Sequence, residues 1–333
     1  MFILLGISTL LAALLALNSL SALLMAALWR VAGGFTRCCS AATRARILFL
    51  MRIVPATLAV LLVALFLAPA YLAYEPRATT EGVSFKLALL AFVSLIGIGL
   101  VVFRGFAAWR ATARLTADWL AHAEPLRIEG INIPAYAIEH TFPVIAIVGV
   151  VEPRLFIARR VLEGLTQDEI AAAAAHESGH LNARDNLKRG LLRACRDALL
   201  IIPCGRSLDR AWAEAAEGAA DEFAARAWRA AALDLASALV KIARMIPAGS
   251  RPTMPAGAFL VGDEVSGIRT RVRRLVQLAF DDFQPATPRP LVADLAKWTS
   301  FGSFFLLLLM TAANPHVLTG VHSMIERAIF ILN

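Results

Sequence analysis

Charged residues are scarce in this chain. Asp, Glu, Lys and Arg make up 17% of its 333 residues, against about 25% in an average soluble domain, and the mean hydropathy is +0.66. Internal repeats are absent, which argues against a solenoid. Cysteine is also scarce, and the spacing of the four residues is not that of a structural zinc site: Cys38, Cys39, Cys195 and Cys204. This composition excludes an ordinary soluble enzyme and indicates a membrane protein.

The apolar residues are concentrated in four stretches: 2–29, 53–73, 87–103 and 298–313. A transmembrane helix needs about 20 apolar residues, so the first three stretches predict spans and the shorter fourth predicts another. The predicted fold class is a mainly α membrane protein in which three transmembrane helices occupy residues 1–103. A domain over 104–297 separates them from the fourth helix, and residues 314–333 form a short external tail.

Arginine is unevenly distributed between the connecting segments. Five follow the first apolar stretch and three follow the third: Arg30, Arg37, Arg44, Arg46, Arg52, Arg104, Arg110 and Arg114. Because basic loops stay inside, we expect the domain 104–297 to be cytoplasmic in a multi-pass protein of the cytoplasmic membrane. The net charge of +8 is then explained by arginines beside anionic headgroups, and no nucleic-acid partner is expected. Disulfides are not expected on that side.

The segment His176-Glu177-Ser178-Gly179-His180 carries the strongest chemical signal. On a helix, residues four apart share a face, so the two imidazoles can bind one zinc ion while Glu177 faces a metal-bound water as general base. The composition gives on the order of 0.005 chance occurrences of this pattern in the chain. The upstream capping box Thr166-Gln167-Asp168-Glu169 predicts that the helix begins near Gln167.

Catalytic zinc takes three protein ligands, so a third must be found. Among the glutamates only Glu217 is followed by an aspartate four residues later, Asp221, in an alanine-rich helical stretch. We predict that Glu217 binds the metal and that Asp221 accepts a hydrogen bond from a ligand histidine. The alternative is a solvated acidic face shared with Glu214 and Glu222; Glu214 and Asp185 are next in line as third ligand.

Together these residues resemble the membrane-embedded gluzincin metallopeptidases. The match runs from about residue 140 to 228 and is better with the peptidase domain of the β-lactam sensor-transducers than with the heat-shock and prenyl-protein endopeptidases. It includes Gly149, the run Pro153-Arg154-Leu155-Phe156-Ile157, Asp185 after the zinc motif, and Glu217-x-x-Ala220-Asp221. The resemblance implies one zinc ion per chain and a supporting position for Asp185. The chain departs from the family at Ser178-Gly179, which places a glycine within the helix.

Two short apolar runs before the zinc motif, 143–148 and 154–158, predict a β-hairpin. The resemblance implies that an exposed strand there pairs with extended substrate. The expected activity is hydrolysis of a peptide bond in a protein substrate, with Arg226 as the candidate oxyanion stabiliser. Residues 268–276 predict an amphipathic helix packed on the domain or resting on the membrane. The other histidines, including His316 and His322, receive no role.

Other functional classes remain open. The resemblance also implies a regulatory signal transducer whose peptidase cleaves a cytoplasmic repressor, or itself, on an external or membrane signal; its external segments are short, so sensing requires a regulatory partner or the bilayer. A non-catalytic scaffold is disfavoured by the intact ligand set. Intramembrane proteolysis is disfavoured because charges such as Arg184 and Lys188 border the zinc motif.

We predict that reporter fusions will place residue 80 and the C-terminus outside the cytoplasm and residues 104–297 inside it, because the arginines flank the domain. The measurement is the activity of paired reporters that work on only one side of the membrane. A fusion after Arg46 is the cytoplasmic control. Cytoplasmic activity of a reporter fused after Asn333 would contradict the four-helix topology.

Overall fold

The computed structural model describes residues 1–77, 82–128, 131–199, 205–246, 265–280 and 291–332. Within these ranges the chain is mainly helical and has one four-stranded sheet, which confirms the prediction of a mainly α protein. Cys38, Cys39 and Cys195 are free thiols, and Cys204 lies outside the described residues.

Three helices in the described ranges are long and apolar enough to cross a membrane. They are α1 (Phe2–Ala32), the continuous helix Ala41–Tyr74 and α4 (Phe85–Leu120). The second consists of α2 (Ala41–Leu62), a π-helical turn (Val63–Leu67) and α3 (Ala68–Tyr74). In the most apolar part of each helix only 22–33% is buried inside the protein, so most of its surface faces outward, as expected of helices in lipid. The first three predicted stretches lie within these helices.

The fourth apolar stretch lies on α11 (Leu291–Ala312), which is followed by α12 (Pro315–Leu332). The two helices are bent by 70° relative to each other, and only together are they long and apolar enough to form a broken span or a re-entrant loop. The apolar part of α11, residues 302–312, is about 16 Å long, roughly half the thickness of a hydrocarbon core. At the break, the Asn314 side chain accepts a hydrogen bond from His316 N at 3.0 Å and so starts the new helix.

The segment predicted as a tail is therefore the helix α12. It packs on the three long apolar helices α1, Ala41–Tyr74 and α4, which are called the membrane bundle below. Its apolar face joins the first turns of α1 and α4 and the end of α3 in one core that includes Leu5, Tyr71, Leu87, Ile325 and Ile329. The apolar residues of α12 in this core are spaced three or four positions apart, so they all lie on one face of the helix.

The sheet has the strand order β1-β2-β4-β3. Its strands are β1 (Glu124–Leu126), β2 (Ala135–Ile138), β3 (Ile145–Val148) and β4 (Arg154–Ala158). β3 and β4 form the predicted antiparallel hairpin, and β4 pairs in parallel with β2. In the connecting turn Gly149 has φ +104°, and a Cβ there would lie 2.5 Å from Glu152 O, so the turn requires glycine. β3 is left at the edge of the sheet.

In the described part of the domain, six helices follow the sheet: α5 (Arg159–Gly164), α6 (Gln167–Ala183), α7 (Asp185–Ala198), α8 (Arg206–Ala225), α9 (Ala231–Met245) and α10 (Val265–Phe280). The predicted capping box is present at the start of α6, where Thr166 N donates to Glu169 Oε2 at 2.8 Å and Glu169 N donates to Thr166 Oγ1 at 3.3 Å. α10 is the predicted amphipathic helix, and it packs on α8 and α9 with Ile268 and Leu275 buried.

The N-terminal part of α2 packs against the domain. Arg52, which is 4% exposed, donates to Asp209 Oδ1 of α8 at 3.0 Å. At the start of α2, Ala41 N donates to Glu222 Oε1 at 3.3 Å. The helix Ala41–Tyr74 is about 50 Å long, so one rigid element joins α8 to the far end of the bundle.

Gly179 allows α6 and α8 to approach closely. A Cβ built on Gly179 would lie 3.1 Å from Ala220 Cα and 3.2 Å from Phe223 Cβ. The first of these contacts is to backbone, which cannot move aside like the end of a flexible side chain. The glycine that costs helix propensity in α6 therefore sets the distance between the helices.

We predict that Gly179→Ala lowers the melting temperature of the detergent-purified protein, because overpacking costs about 1–3 kcal/mol and exceeds the gain of about 0.8–1 kcal/mol in helix propensity. Gly190→Ala is the matched control: Gly190 is also within a helix, α7, but a Cβ there meets nothing within 4 Å. This control should raise the melting temperature. Equal gains in both variants would mean that the two helices do not need the glycine.

Candidate metal centre

His176 and His180 lie one turn apart on α6 and are buried, with exposed fractions of 0% and 8%. Their rings meet edge to face, with centroids 4.9 Å apart and an interplanar angle of 87°. This is the shared face that the four-residue spacing predicts. The neighbouring residues of α6 are mostly alanines, whose small side chains allow α8 to pack close to the two rings.

α8 brings Glu217 to the two imidazoles. Glu217 Oε2 lies 3.6 Å from His176 Nε2, and Glu217 Oε1 lies 3.5 Å from His180 Nε2. One ligand atom from each of the three residues can be chosen so that all lie within 4.8 Å of one another, a group that could hold a metal ion. The structure thus brings together the three residues predicted as ligands.

The other ring nitrogen of each histidine faces an aspartate. His176 Nδ1 lies 3.0 Å from Asp221 Oδ1, and His180 Nδ1 lies 2.7 Å from Asp185 Oδ2. Asp185 reaches His180 because Arg184, between α6 and α7, has φ +55° and reverses the chain direction. A carboxylate on Nδ1 favours the tautomer in which Nδ1 carries the proton and Nε2 offers its lone pair. The two predicted supporting residues are therefore next to the ligand candidates.

Glu177 lies beside the edge of the sheet. Its side chain is buried, and Oε2 accepts a hydrogen bond from Ile147 N of β3 at 3.2 Å. The Asn186 amide donates to the carbonyl oxygen of the same Ile147 at 2.9 Å. Both backbone groups of Ile147 are thus bound by side chains of α6 and α7, and all four residues of β3 are buried.

Arg271 on α10 is a residue of this site that the sequence did not reveal. Its guanidinium donates twice to Asp221, at 2.7 and 2.9 Å, and Nη1 lies 3.2 Å from Glu217 Oε2. Nη2 lies 3.5 Å from His176 Nε2. Since arginine can only donate, Nε2 faces it as an acceptor, which agrees with a proton on Nδ1. The sequence did contain an indication of this role. Arg271 is spaced three and four residues from Ile268 and Leu275, so it lies on the buried face of α10, where a charged side chain needs a partner of opposite charge.

Arg226, the expected oxyanion stabiliser, is the C-cap of α8 and is exposed. In the described part of the chain no contact joins it to His176, His180 or Glu217. The second cation beside the glutamate is instead Arg189 of α7, whose Nη2 lies 3.4 Å from Glu217 Oε1.

The charges of the site are strongly coupled. Burial raises the pKa of Glu217, but the charge of His180, the nearness of both imidazoles and the charge of Arg271 outweigh this and hold the pKa well below its usual value. Burial lowers the pKa of His180, yet the charge of Glu217 and the hydrogen bond with Asp185 raise it to about 10.

The residues present suit a zinc ion. Two imidazole nitrogens and one carboxylate are a known catalytic zinc ligand set, and both histidines have the carboxylate partners that such ligands usually have. Glu217 Oε2 is buried and, although Arg271 Nη1 lies 3.2 Å away, it makes no hydrogen bond within the described part of the chain. A cation bound between Glu217 and the two Nε2 atoms would satisfy this oxygen.

We predict that Arg271→Ala lowers the stability of the protein by about 3–5 kcal/mol, because it leaves the fully buried Asp221 without its charged partner. The measurement is denaturant or thermal unfolding of the purified protein. Arg269→Ala, an exposed arginine on the same helix, should change stability by less than about 0.5 kcal/mol.

Adding Asp221→Asn to Arg271→Ala should recover part of the loss, because the buried unpaired charge is then removed. Equal stability of the Arg271→Ala and Arg269→Ala variants would contradict the importance of this ion pair.

Comparison of the chain with protein-family models, with curated proteins and with solved structures found no match. The functional assignment therefore depends on the geometry of the site. That geometry places His176, His180, Glu217, Glu177, Asp185 and Asp221 in one buried cluster.

Proposed function

We propose that this chain is an integral-membrane zinc endopeptidase that hydrolyses peptide bonds of a protein substrate at the cytoplasmic face of the membrane. The observation that carries the proposal is that two imidazole Nε2 atoms and the Glu217 carboxylate lie close together. Glu177, next to His176, is hydrogen-bonded to the edge strand β3. The resemblance of the sequence motifs to the membrane gluzincins supports the same activity.

His176, His180 and Glu217 would hold the ion, with a fourth position left for water or substrate. Zinc bound there supplies a Lewis acid that acidifies water and polarises a carbonyl oxygen. Asp221 and Asp185 keep the ligand histidines in the required tautomer and orientation. Arg271 balances the charge of Asp221 and Glu217 and thereby fixes α10 against α8.

Glu177 is the proposed general base. It follows His176 directly, so its carboxylate lies on the flank of the ligand face of α6. There it accepts the proton of the attacking water and passes it to the leaving amine. Its hydrogen bond from Ile147 N fixes the carboxylate beside β3, at the place where an extended peptide would lie.

β3 is the proposed substrate-binding strand. It is the edge of the sheet nearest to α6, and an extended peptide could add to it by backbone hydrogen bonds. Glu177 and Asn186 bind the backbone groups of Ile147 in the free protein, so substrate has to displace them. The substrate class that follows is a protein segment that is unfolded, or unfolds, near the membrane surface.

The site lies close to one end of the long apolar helices. α2 passes from its contacts with α8 at Ala41 and Arg52 directly into the apolar stretch that starts at residue 53. Together with the arginine distribution, this supports placing the site at the cytoplasmic face. A substrate anchored in the same membrane would therefore meet the site without crossing the bilayer.

Variants at two glutamates separate chemistry from metal binding. Glu177→Gln should retain the zinc ion held by His176, His180 and Glu217 and lose proteolysis by at least roughly 10²–10⁴-fold, because only the base is removed. Glu217→Ala should lose the ion of this site as well as activity. The measurements are metal analysis of the purified full chain and cleavage of an unfolded, membrane-tethered reporter protein.

Asp221→Ala should weaken zinc binding or activity by roughly 10–100-fold without abolishing the site. Glu214→Ala is the matched control, since Glu214 is an exposed glutamate three residues before Glu217 on the same helix. If Glu217→Ala binds zinc as tightly as the parent protein, the third ligand lies elsewhere. If Glu177→Gln cleaves the reporter normally, the proposed role of this base is wrong.

A further inference from the structure

A second group of possible ligands lies at the other end of the membrane bundle. It consists of Glu75, His322 and Glu326, and one ligand atom from each lies within 4.8 Å of the others. Glu75 follows α3 as its C-cap, while His322 and Glu326 are one turn apart on α12. Glu75 follows the C-terminal end of the helix Ala41–Tyr74, whereas the contacts of this helix with α8, which carries Glu217, lie at Ala41 and Arg52 near its other end.

The three side chains differ in exposure in a way that suits a site at a surface. Glu75 is 6% exposed, and the side chains of His322 and Glu326 are 18% and 46% exposed. His322 Nδ1 is buried and has no hydrogen-bond partner within the described ranges. The Tyr74 ring lies against the imidazole, with centroids 6.0 Å apart. The imidazole is thus held in place, and one of its nitrogens is left without a hydrogen bond.

α12 is fixed by its own packing, independently of any ion. Its apolar face lies in the core with Leu5, Tyr71 and Leu87. At its ends, Tyr74 Oη donates to Pro315 O at 3.5 Å and Ser84 Oγ donates to Leu332 O at 3.0 Å. These contacts bring the His322 and Glu326 pair to Glu75 across the junction between α3 and α12. The approach of the three groups is therefore a property of the fold and not of one surface side chain.

The donor set determines the class of ion. One imidazole nitrogen and two carboxylates suit a divalent cation of the zinc type, whereas Mg²⁺ and Ca²⁺ prefer oxygen ligands alone. Two carboxylates also match the charge of a divalent ion. The i, i+4 spacing of His322 and Glu326 places two donors on one helix face.

We propose that Glu75, His322 and Glu326 form a second zinc site, which binds the ion from the solvent on that side of the membrane and joins α12 to the end of α3. It has three protein ligands, and its fourth position is filled by water. The half-exposed Glu326 gives the ion a route to solvent. The site is separate from the endopeptidase proposal, because none of its residues contacts His176, His180 or Glu217.

Zinc content of the purified full chain tests this inference. At saturating free Zn²⁺ the parent protein should hold about two ions per chain, and His322→Gln and His176→Ala about one each. His316→Ala is the matched control, because His316 is an exposed histidine on the same helix; it should retain both ions. An unchanged zinc content in His322→Gln would overturn the second site.

Hydrogen exchange of α12 provides an independent measurement. Zn²⁺ should slow exchange within Pro315–Leu332 in the parent protein and in His316→Ala, but not in His322→Gln or Glu75→Gln, and Mg²⁺ should have no effect. Equal melting temperatures without metal would show that these variants fold.

The two proposals fail in different ways. If one ion is lost only with His176→Ala and α12 does not respond to zinc, the second site is wrong and the endopeptidase stands. If an ion is lost only with His322→Gln, the second site stands and the metal ligands assigned in the endopeptidase proposal are wrong.

Discussion

The close approach of α6 and α8 is the constraint on which the candidate metal centre depends. Gly179 has no side chain, so the backbone of α8 comes near enough for Glu217 to face both imidazoles and for Asp221 to reach His176. This contact buries several charges together. They are tolerated because Arg271 and Arg189 lie beside the carboxylates and each histidine has an aspartate partner. A looser contact would move Asp221 away from His176 and Glu217 away from both imidazoles, and the pairing of Asp221 with Arg271 alone would remain.

Local patterns in the sequence predicted the parts of the site that local structure determines. The spacing of His176 and His180 predicted that both lie on one face of a helix, and the capping box predicted where that helix, α6, begins. The pair Glu217 and Asp221 predicted which helix faces the two histidines. The hairpin followed from two short apolar runs separated by Gly149 and Pro153. In each case the relevant interactions lie within about ten residues of chain, so the sequence carries the information directly. The roles of these residues in metal binding and catalysis remain predictions.

Tertiary contacts determined the parts that the sequence did not reveal. Arg271 lies fifty residues after Asp221, and an arginine-rich helix such as α10 is equally typical of a solvated surface. The hydrogen bonds of Ile147 depend on how the sheet docks on α6 and α7. For residues 298–313 the apolar composition predicted a span, whereas the structure shows two helices bent by 70° near Asn314, which together form either one broken span or a re-entrant loop. Hydropathy alone does not distinguish a straight helix from a bent pair.

The two hydrogen bonds at Ile147 have a thermodynamic consequence for any peptide that adds to β3. Such a peptide would exchange partners with Glu177 and Asn186, so the number of backbone hydrogen bonds would hardly change, and strand addition alone would contribute little affinity. Binding would then depend on side-chain contacts and on local concentration. Confinement to the same membrane can supply an effective concentration of the order of millimolar, as a short tether does. Proximity, more than recognition of a particular sequence, would then decide which peptides bind to β3.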